Sequence, residues 1–299
     1  MLIILKQLAV LYIFLLVGFA FGKSKSDQAS NSKILSFLLV NLFLPAKVFN
    51  TFARNFTTSY ITEHSKTVFF SLSLLLFLVF FSLSVSKLLT KDKYEQKVYR
   101  YSLTLSNYAY MGYALCESVF GESGLTDLIL FCIPFAIYTY TFGYAMLTDQ
   151  GRSLKKLVNP LNLAILLGII FGLFEIPLPE FLNTALSSSS ACVAPISMLL
   201  TGITLSSFSL RSMFANGKAY ILVAIRLLLI PLLVFAFFRL LGLDNILVPA
   251  VMMASMPCGL NTIVFPKLFN KDCSLGARLA MLSHLFSVIT IPFWLSLLK

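Results

Sequence analysis

The sequence predicts an all-α integral membrane protein: ten transmembrane helices arranged as two inverted five-helix repeats. Three observations predict it: a composition too apolar for water, a series of apolar runs with short breaks, and an internal register of 150 residues. Of 299 residues, 58% are hydrophobic and 12% charged, with a mean hydropathy of +0.89. A soluble domain is about 45–50% apolar and about 25% charged. Water could not cover this surface, so the partner solvent is the lipid bilayer. The length is therefore divided by about 20 apolar residues per span.

The apolar runs fall near 2–22, 34–53, 67–86, 101–120, 125–147, 158–176, 181–208, 219–241, 246–266 and 275–297. The third, Thr67 to Ser86, contains no charge. The first has only Lys6 as a basic residue. Lys23 and Lys25 follow it in place of a small-residue cleavage site, so it reads as a retained helix.

The net charge of +11 is concentrated in the breaks, with no basic stripe, so nucleic acid is not an expected partner. One side collects Lys23, Lys25, Lys33, Lys87, Lys91, Lys93, Lys97, Arg100, Arg152, Lys155, Lys156, Arg211, Lys218, Lys267, Lys271 and Arg278. The other has Arg54, Lys66, Arg239 and Lys299. Cytoplasmic loops are enriched in Lys and Arg, which places both termini on the non-cytoplasmic side of the cell (inner) membrane. The five cysteines form no CxxC pair and there are two histidines, so neither metal nor cofactor is expected. No nucleophile, zincin or phosphate-loop motif suggests an enzyme.

The repeat rests on Gly18 and Gly22 in the first run against Gly168 and Gly172 in the sixth, both with GxxxG spacing and offset by 150 residues. Pro45 and Pro195 share the offset. Residues 1–150 and 151–299 are then equivalent halves, and an odd number of helices per half inverts the second. In inverted-repeat carriers the site lies near the midplane, at interrupted helices. The matching interruptions are expected at Ser106–Tyr113, with Asn107, Gly112 and Tyr113, and at Ser255–Asn261, with Pro257, Gly259 and Asn261. Proline lacks an N–H and breaks the helix, glycine permits unwinding, and freed N–H groups attract an anion. Ionisable residues within apolar runs carry a functional expectation. Arg226 and Lys47 are candidate substrate counter-ions, with Arg226 alternatively paired to Glu117. Glu117 and His284 are candidates for proton coupling.

These residues carry a resemblance. Leu44-Pro45 with Phe49-Asn50, Asn107 to Gly112 followed by Phe120-Gly121-Glu122, Asn159-Pro160, Arg226 with Pro231, and Met256-Pro257 with Asn261 resemble, in order and spacing, the auxin efflux carrier family. That family includes plant PIN-type carriers and bacterial carriers of malate or malonate. The resemblance implies ten helices, a scaffold and a transport subdomain, a crossover of broken helices, and an elevator-like movement, often in a homodimer. The family commonly has a proline where this chain has Tyr113, so the fourth-helix break is expected to rest on Gly112. The expected function is secondary active efflux or exchange of a small organic anion, a carboxylate. The alternatives are a Na⁺-coupled symporter of the bile-acid type and a non-transporting membrane sensor or assembly protein.

Overall fold

The computed structural model describes residues 2–24, 28–150, 158–209, 214 and 217–298, with the side chains of 28–31 left aside. Lys25, Arg152, Lys155, Lys156, Arg211 and Lys299, which enter the charge asymmetry, lie outside the described residues.

Helix α1 spans Leu2–Ser24. Helix α2 spans 28–55, with a π turn at Leu39–Phe43 just before Pro45. A short helix α3, Thr58–His64, is capped by the Thr57 side chain, which accepts from the Tyr60 N–H. Helix α4 covers Thr67–Leu89. Helix α5, Lys93–Thr104, begins well before the run expected at 101 because Asp92 caps it, accepting from the Glu95 N–H. This places an acidic cap and Glu95 at the positive end of the helix.

Helix α6 (108–120) opens with a π turn at Tyr108–Gly112 and is separated from α7 (122–148) by Gly121, at φ 76° and ψ −170°. Only glycine occupies that conformation without strain. Helix α8, Pro160–Leu173, starts with Asn159 as cap and proline in its first turn. Helices α9 (Glu180–Ala191) and α10 (Val193–Ser206) meet at Cys192, near Pro195. Helix α11 covers 217–240 with a π turn at Ile225–Leu229, ahead of Pro231. Helices α12 (Asp244–Ser255), α13 (Asn261–Lys267) and α14 (Ser274–Ser296) complete the chain.

Among the described residues there is no strand, and seven helical segments of 23 to 41 residues are apolar enough to cross a membrane. Pro160–Leu173 and Asp244–Ser255 are shorter apolar helices. The helices are apolar on their outer as well as their buried faces, unlike those of a soluble protein. Helix α4 turns Phe69, Phe77 and Phe80 outward and buries Ser71, Ser82 and Ser86. Lipid leaves a phenylalanine free to face outward, and small polar residues inside serve close packing and hydrogen bonding.

The glycine pairs permit the closest approaches. A Cβ on Gly18 would lie 2.3 Å from the Leu199 carbonyl oxygen, and one on Gly202 would lie 2.0 Å from that of Leu15, so α1 and α10 are in backbone contact. Gly168 and Gly172 do the same for α8 against Phe49, Phe52 and Phe56 of α2. The expected spacing motif thus joins the first apolar run to the seventh, and the sixth to the second.

Candidate functional site

The site is built where two helices are interrupted. Helix α5 ends at Thr104, and the chain runs extended at Leu105 (φ −116°, ψ 129°) before turning at Asn107 into α6. Gly112 itself has ordinary helical angles (φ −63°, ψ −46°), so it does not break the helix as expected. The unwinding lies at Leu105, Ser106 and Asn107, with no proline. Gly112 instead leaves room for Met256, whose Cγ would lie 3.2 Å from a Cβ there. On the other side, α12 ends at Ser255, Met256 is extended, and α13 resumes at Asn261.

The two interruptions cross. Ser106 and Cys258 form an antiparallel bridge, and the Asn107 N–H donates to the Pro257 carbonyl at 2.8 Å. A Cβ on Gly259 would lie 3.3 Å from the Ser106 carbonyl oxygen, so glycine allows the crossing. The Ser106 hydroxyl donates to the Met253 carbonyl at 2.8 Å, and the Cys258 N–H donates to Ser283 Oγ at 3.0 Å. Breaking a helix strands its terminal carbonyls, and in a membrane no water is at hand to satisfy them.

Arg226 meets that need. Fully buried, it donates from Nη1 to Leu103 at 3.1 Å, from Nη2 to Met253 at 3.2 Å and from Nε to Met256 at 3.3 Å, all backbone carbonyls. The π turn at Ile225–Leu229 contains it. The expected Arg226–Glu117 pair does not form: Glu117 is bonded by Lys47, Nζ to Oε2 2.5 Å, across α2 and α6. Glu117 and His284 share no hydrogen bond. The His284 ring lies instead between the Ala280 carbonyl (Nδ1, 2.7 Å) and Asn107 Nδ2 (Nε2, 3.1 Å).

A small cavity of about 30 Å³ lies against the crossing, bordered by Tyr101, Ser106, Asn107, Tyr110, Tyr140 and Asn261 among others. Leu44 of α2 and Leu161 of α8 also line it. Of the sequence-expected substrate residues, Asn107, Gly259 and Asn261 line it. Gly112, Tyr113, Pro257, Arg226 and Lys47 do not. Pro45 is buried in α2, next to Leu44, and Pro195 lies in the first turn of α10.

Tyr101, Tyr110 and Tyr140 were not anticipated; the Tyr101 hydroxyl accepts from Asn261 Nδ2 at 2.9 Å. Their signal was available. Tyrosines cluster in 101–144, where other runs use leucine and phenylalanine, and a buried hydroxyl needs a partner. Tyr110, Tyr140 and Asn261 also border a second, larger cavity that runs past Asn41 and Thr204 to Lys33 and Lys267. The three residues thus stand between the crossing and a cavity at the lysine-bearing end of the molecule.

The chain matches the family model described as membrane transport protein over residues 3–157 and 152–295. It is 25% identical to an uncharacterized transporter of Methanocaldococcus jannaschii over 300 aligned positions, covering 95% of this chain and 96% of that protein. The match spans both interrupted helices and the cavity between them, and the chain belongs to this family of membrane transporters, the auxin efflux carriers.

Proposed function

We propose that this protein is a secondary active carrier that moves a small organic anion, a carboxylate, across the cell membrane by alternating access. The observation that carries this is the cavity at the crossing. The start of α6 brings N–H groups without intrahelical acceptors to its wall, and the amides of Asn107 and Asn261 and the tyrosine hydroxyls supply neutral hydrogen-bonding groups. Such a wall suits a carboxylate without placing a full counter-charge in the site.

The reciprocal packing of α1 with α10 and of α8 with α2 supports two inverted halves, 1–150 and 151–299. A swap of equivalent helices converts one pair into the other. In this reading the spans are α1, α2, α4, α5 with α6, α7, α8, α9 with α10, α11, α12 with α13, and α14. The basic-residue asymmetry puts both termini outside the cytoplasm, so the larger cavity faces inward. Helices α1, α2, α8 and α9 with α10 form a scaffold against which the remainder slides.

The experiment is uptake of labelled acetate, malate and malonate into proteoliposomes. Transport of at least one, abolished by Asn261→Ala, is the expected result; no flux of any carboxylate overturns the reading. The Na⁺-coupled alternative is disfavoured by the wall itself, in which no Asp or Glu is found among the described residues.

A further inference from the structure

We propose that His284 is the proton-binding site of this carrier, and that the Asn107 amide reports its protonation state to the cavity. The inference rests on the carrier reading and names its coupling ion.

The hydrogen bonds define one tautomer. The Ala280 carbonyl can only accept, so His284 Nδ1 carries the proton of that 2.7 Å bond. The Asn107 NH₂ can only donate, so Nε2 at 3.1 Å presents its lone pair and the ring is neutral. Both side chains are at most 3% exposed, and Asn107 also lines the cavity. One residue therefore touches the imidazole on one side and the site on the other.

The groups that could compensate a charge on the ring are committed elsewhere. From α1, the Tyr12 hydroxyl donates to the His284 backbone carbonyl at 2.5 Å and lies 2.7 Å from Ser287 Oγ. From α11, Arg226 donates to three carbonyls and Tyr220 to that of Phe214. From α5, Tyr101 accepts from Asn261, and Tyr99 bonds no group at the ring. From the crossover, the Cys258 N–H holds Ser283. On α14 itself the other ionisable side chain is Arg278, more than a turn away. Among the described residues no carboxylate bonds the imidazole.

Adding a proton to Nε2 turns an acceptor into a donor and sets it against the Asn107 NH₂. Rotation of the amide about Cβ–Cγ removes the conflict: Oδ1 then accepts from Nε2–H, and the NH₂ is displaced from the ring. Nε2 takes the proton from a hydronium ion, whose O–H bond breaks to leave water, and no other covalent bond changes. The protonated site adds a positive charge and frees the amide N–H that Nε2 had held, both of which favour a carboxylate. Binding of proton and anion is then mutually reinforcing, by the reciprocity of linked equilibria. One proton with one monocarboxylate would cross without net charge.

The chain has two histidines, which makes the test direct. His64→Gln protein with labelled imidazole, purified in detergent, leaves His284 as the single NMR signal. The expected result is an Nδ1–H tautomer at high pH that converts to imidazolium as pH falls, with a midpoint displaced by Asn107→Ala. A ring that stays neutral from pH 4 to 9 overturns the proposal without any substrate. In calorimetry with acetate, malate and malonate, in buffers of different ionisation enthalpy, binding should take up about one proton. Affinity should then rise about tenfold per pH unit of acidification above the midpoint. His284→Gln should bind without proton uptake and without that slope. Carboxylate binding with no proton uptake in the parent protein defeats the coupling and leaves the carrier standing. If none of the three is bound or transported, both fall.

Discussion

Asn107 donates its backbone N–H to the carbonyl of Pro257 at 2.8 Å, so each interrupted helix stabilises the interruption of the other. Pro257 acts through more than its missing N–H. Its neighbour Met256 is extended, and its own oxygen accepts from the opposite half of the chain. The chain between α5 and α6 can consequently be broken without a proline of its own, because tertiary partners accept and supply the bonds its helix forgoes.

Arg226 should prove to be a structural linchpin of this crossing rather than a substrate ligand. Arg226→Leu removes a donor from three buried carbonyls, of which Met253 keeps the Ser106 hydroxyl, and should destabilise the protein by about 3 kcal/mol or more. Arg226→Lys, with one nitrogen in place of a fork, should recover only part of this. Thermal unfolding in detergent measures both. An Arg226→Lys protein of wild-type stability but with a raised KM would assign the residue to substrate instead.

Gly121→Ala should cost about 1–3 kcal/mol, because φ 76° with ψ −170° is strained for any residue with a Cβ. The open space around the position rules out a steric clash as the cause. Gly217→Ala, with equally open surroundings and no positive φ, is the control and should be neutral within about 0.5 kcal/mol.

Gly18→Leu or Gly202→Val should force α1 from α10. The added Cβ alone would sit 2.3 or 2.0 Å from a backbone oxygen. Backbone cannot rotate away as a side chain can, so the loss should exceed the usual overpacking cost of about 1–3 kcal/mol. Unfolding midpoints compared with a lipid-facing control such as Leu16→Ala test this.

Lys47 and Glu117 join α2 to α6, and therefore the proposed scaffold to the proposed moving part. Lys47→Met and Glu117→Gln should each change flux more than the double variant does relative to them, the mark of a coupled pair. Strictly additive losses in a double-mutant cycle would show that the two residues act on transport independently and not as a pair.

At the lysine-bearing end, Asp149 accepts from Lys97 and from Lys271, the latter at 2.5 Å, and these two cations hold its carboxyl below the usual carboxylate range. A depressed folded value means that the contribution is present above the unfolded value of about 3.9 and lost as pH falls through the folded one. Asp149→Asn should therefore lower the melting temperature at pH 7. The gap from wild type should close under strong acid, and high salt should narrow it because the carboxylate is half exposed.

Much of the fold was legible because a bilayer imposes one-dimensional rules. Apolar runs of about 20 residues mark spans whatever packs beside them, and most runs correspond to observed helices. The fourth was displaced because Lys93 to Arg100 are charged yet helical, started by the Asp92 cap and Glu95. Asn107 and Asn261 were identifiable as polar groups at interruptions. Tyr101, Tyr110 and Tyr140 were not, since a tyrosine in an apolar run serves equally as a lipid-facing or a buried residue until its hydroxyl has an address.

Composition, run length and the GxxxG and proline register, all local properties, were enough to determine a helical membrane protein with helices that approach closely and two that break. Only the tertiary structure decided which groups answer the breaks. Arg226 is distant in sequence from Leu103 and spends its donors on carbonyls instead of an anion, while Lys47 and not Arg226 takes Glu117. His284 finds Asn107 across 177 positions. In a medium without water a buried donor or acceptor left without a partner is costly, and which partner it finds depends on how the helices are brought together in space.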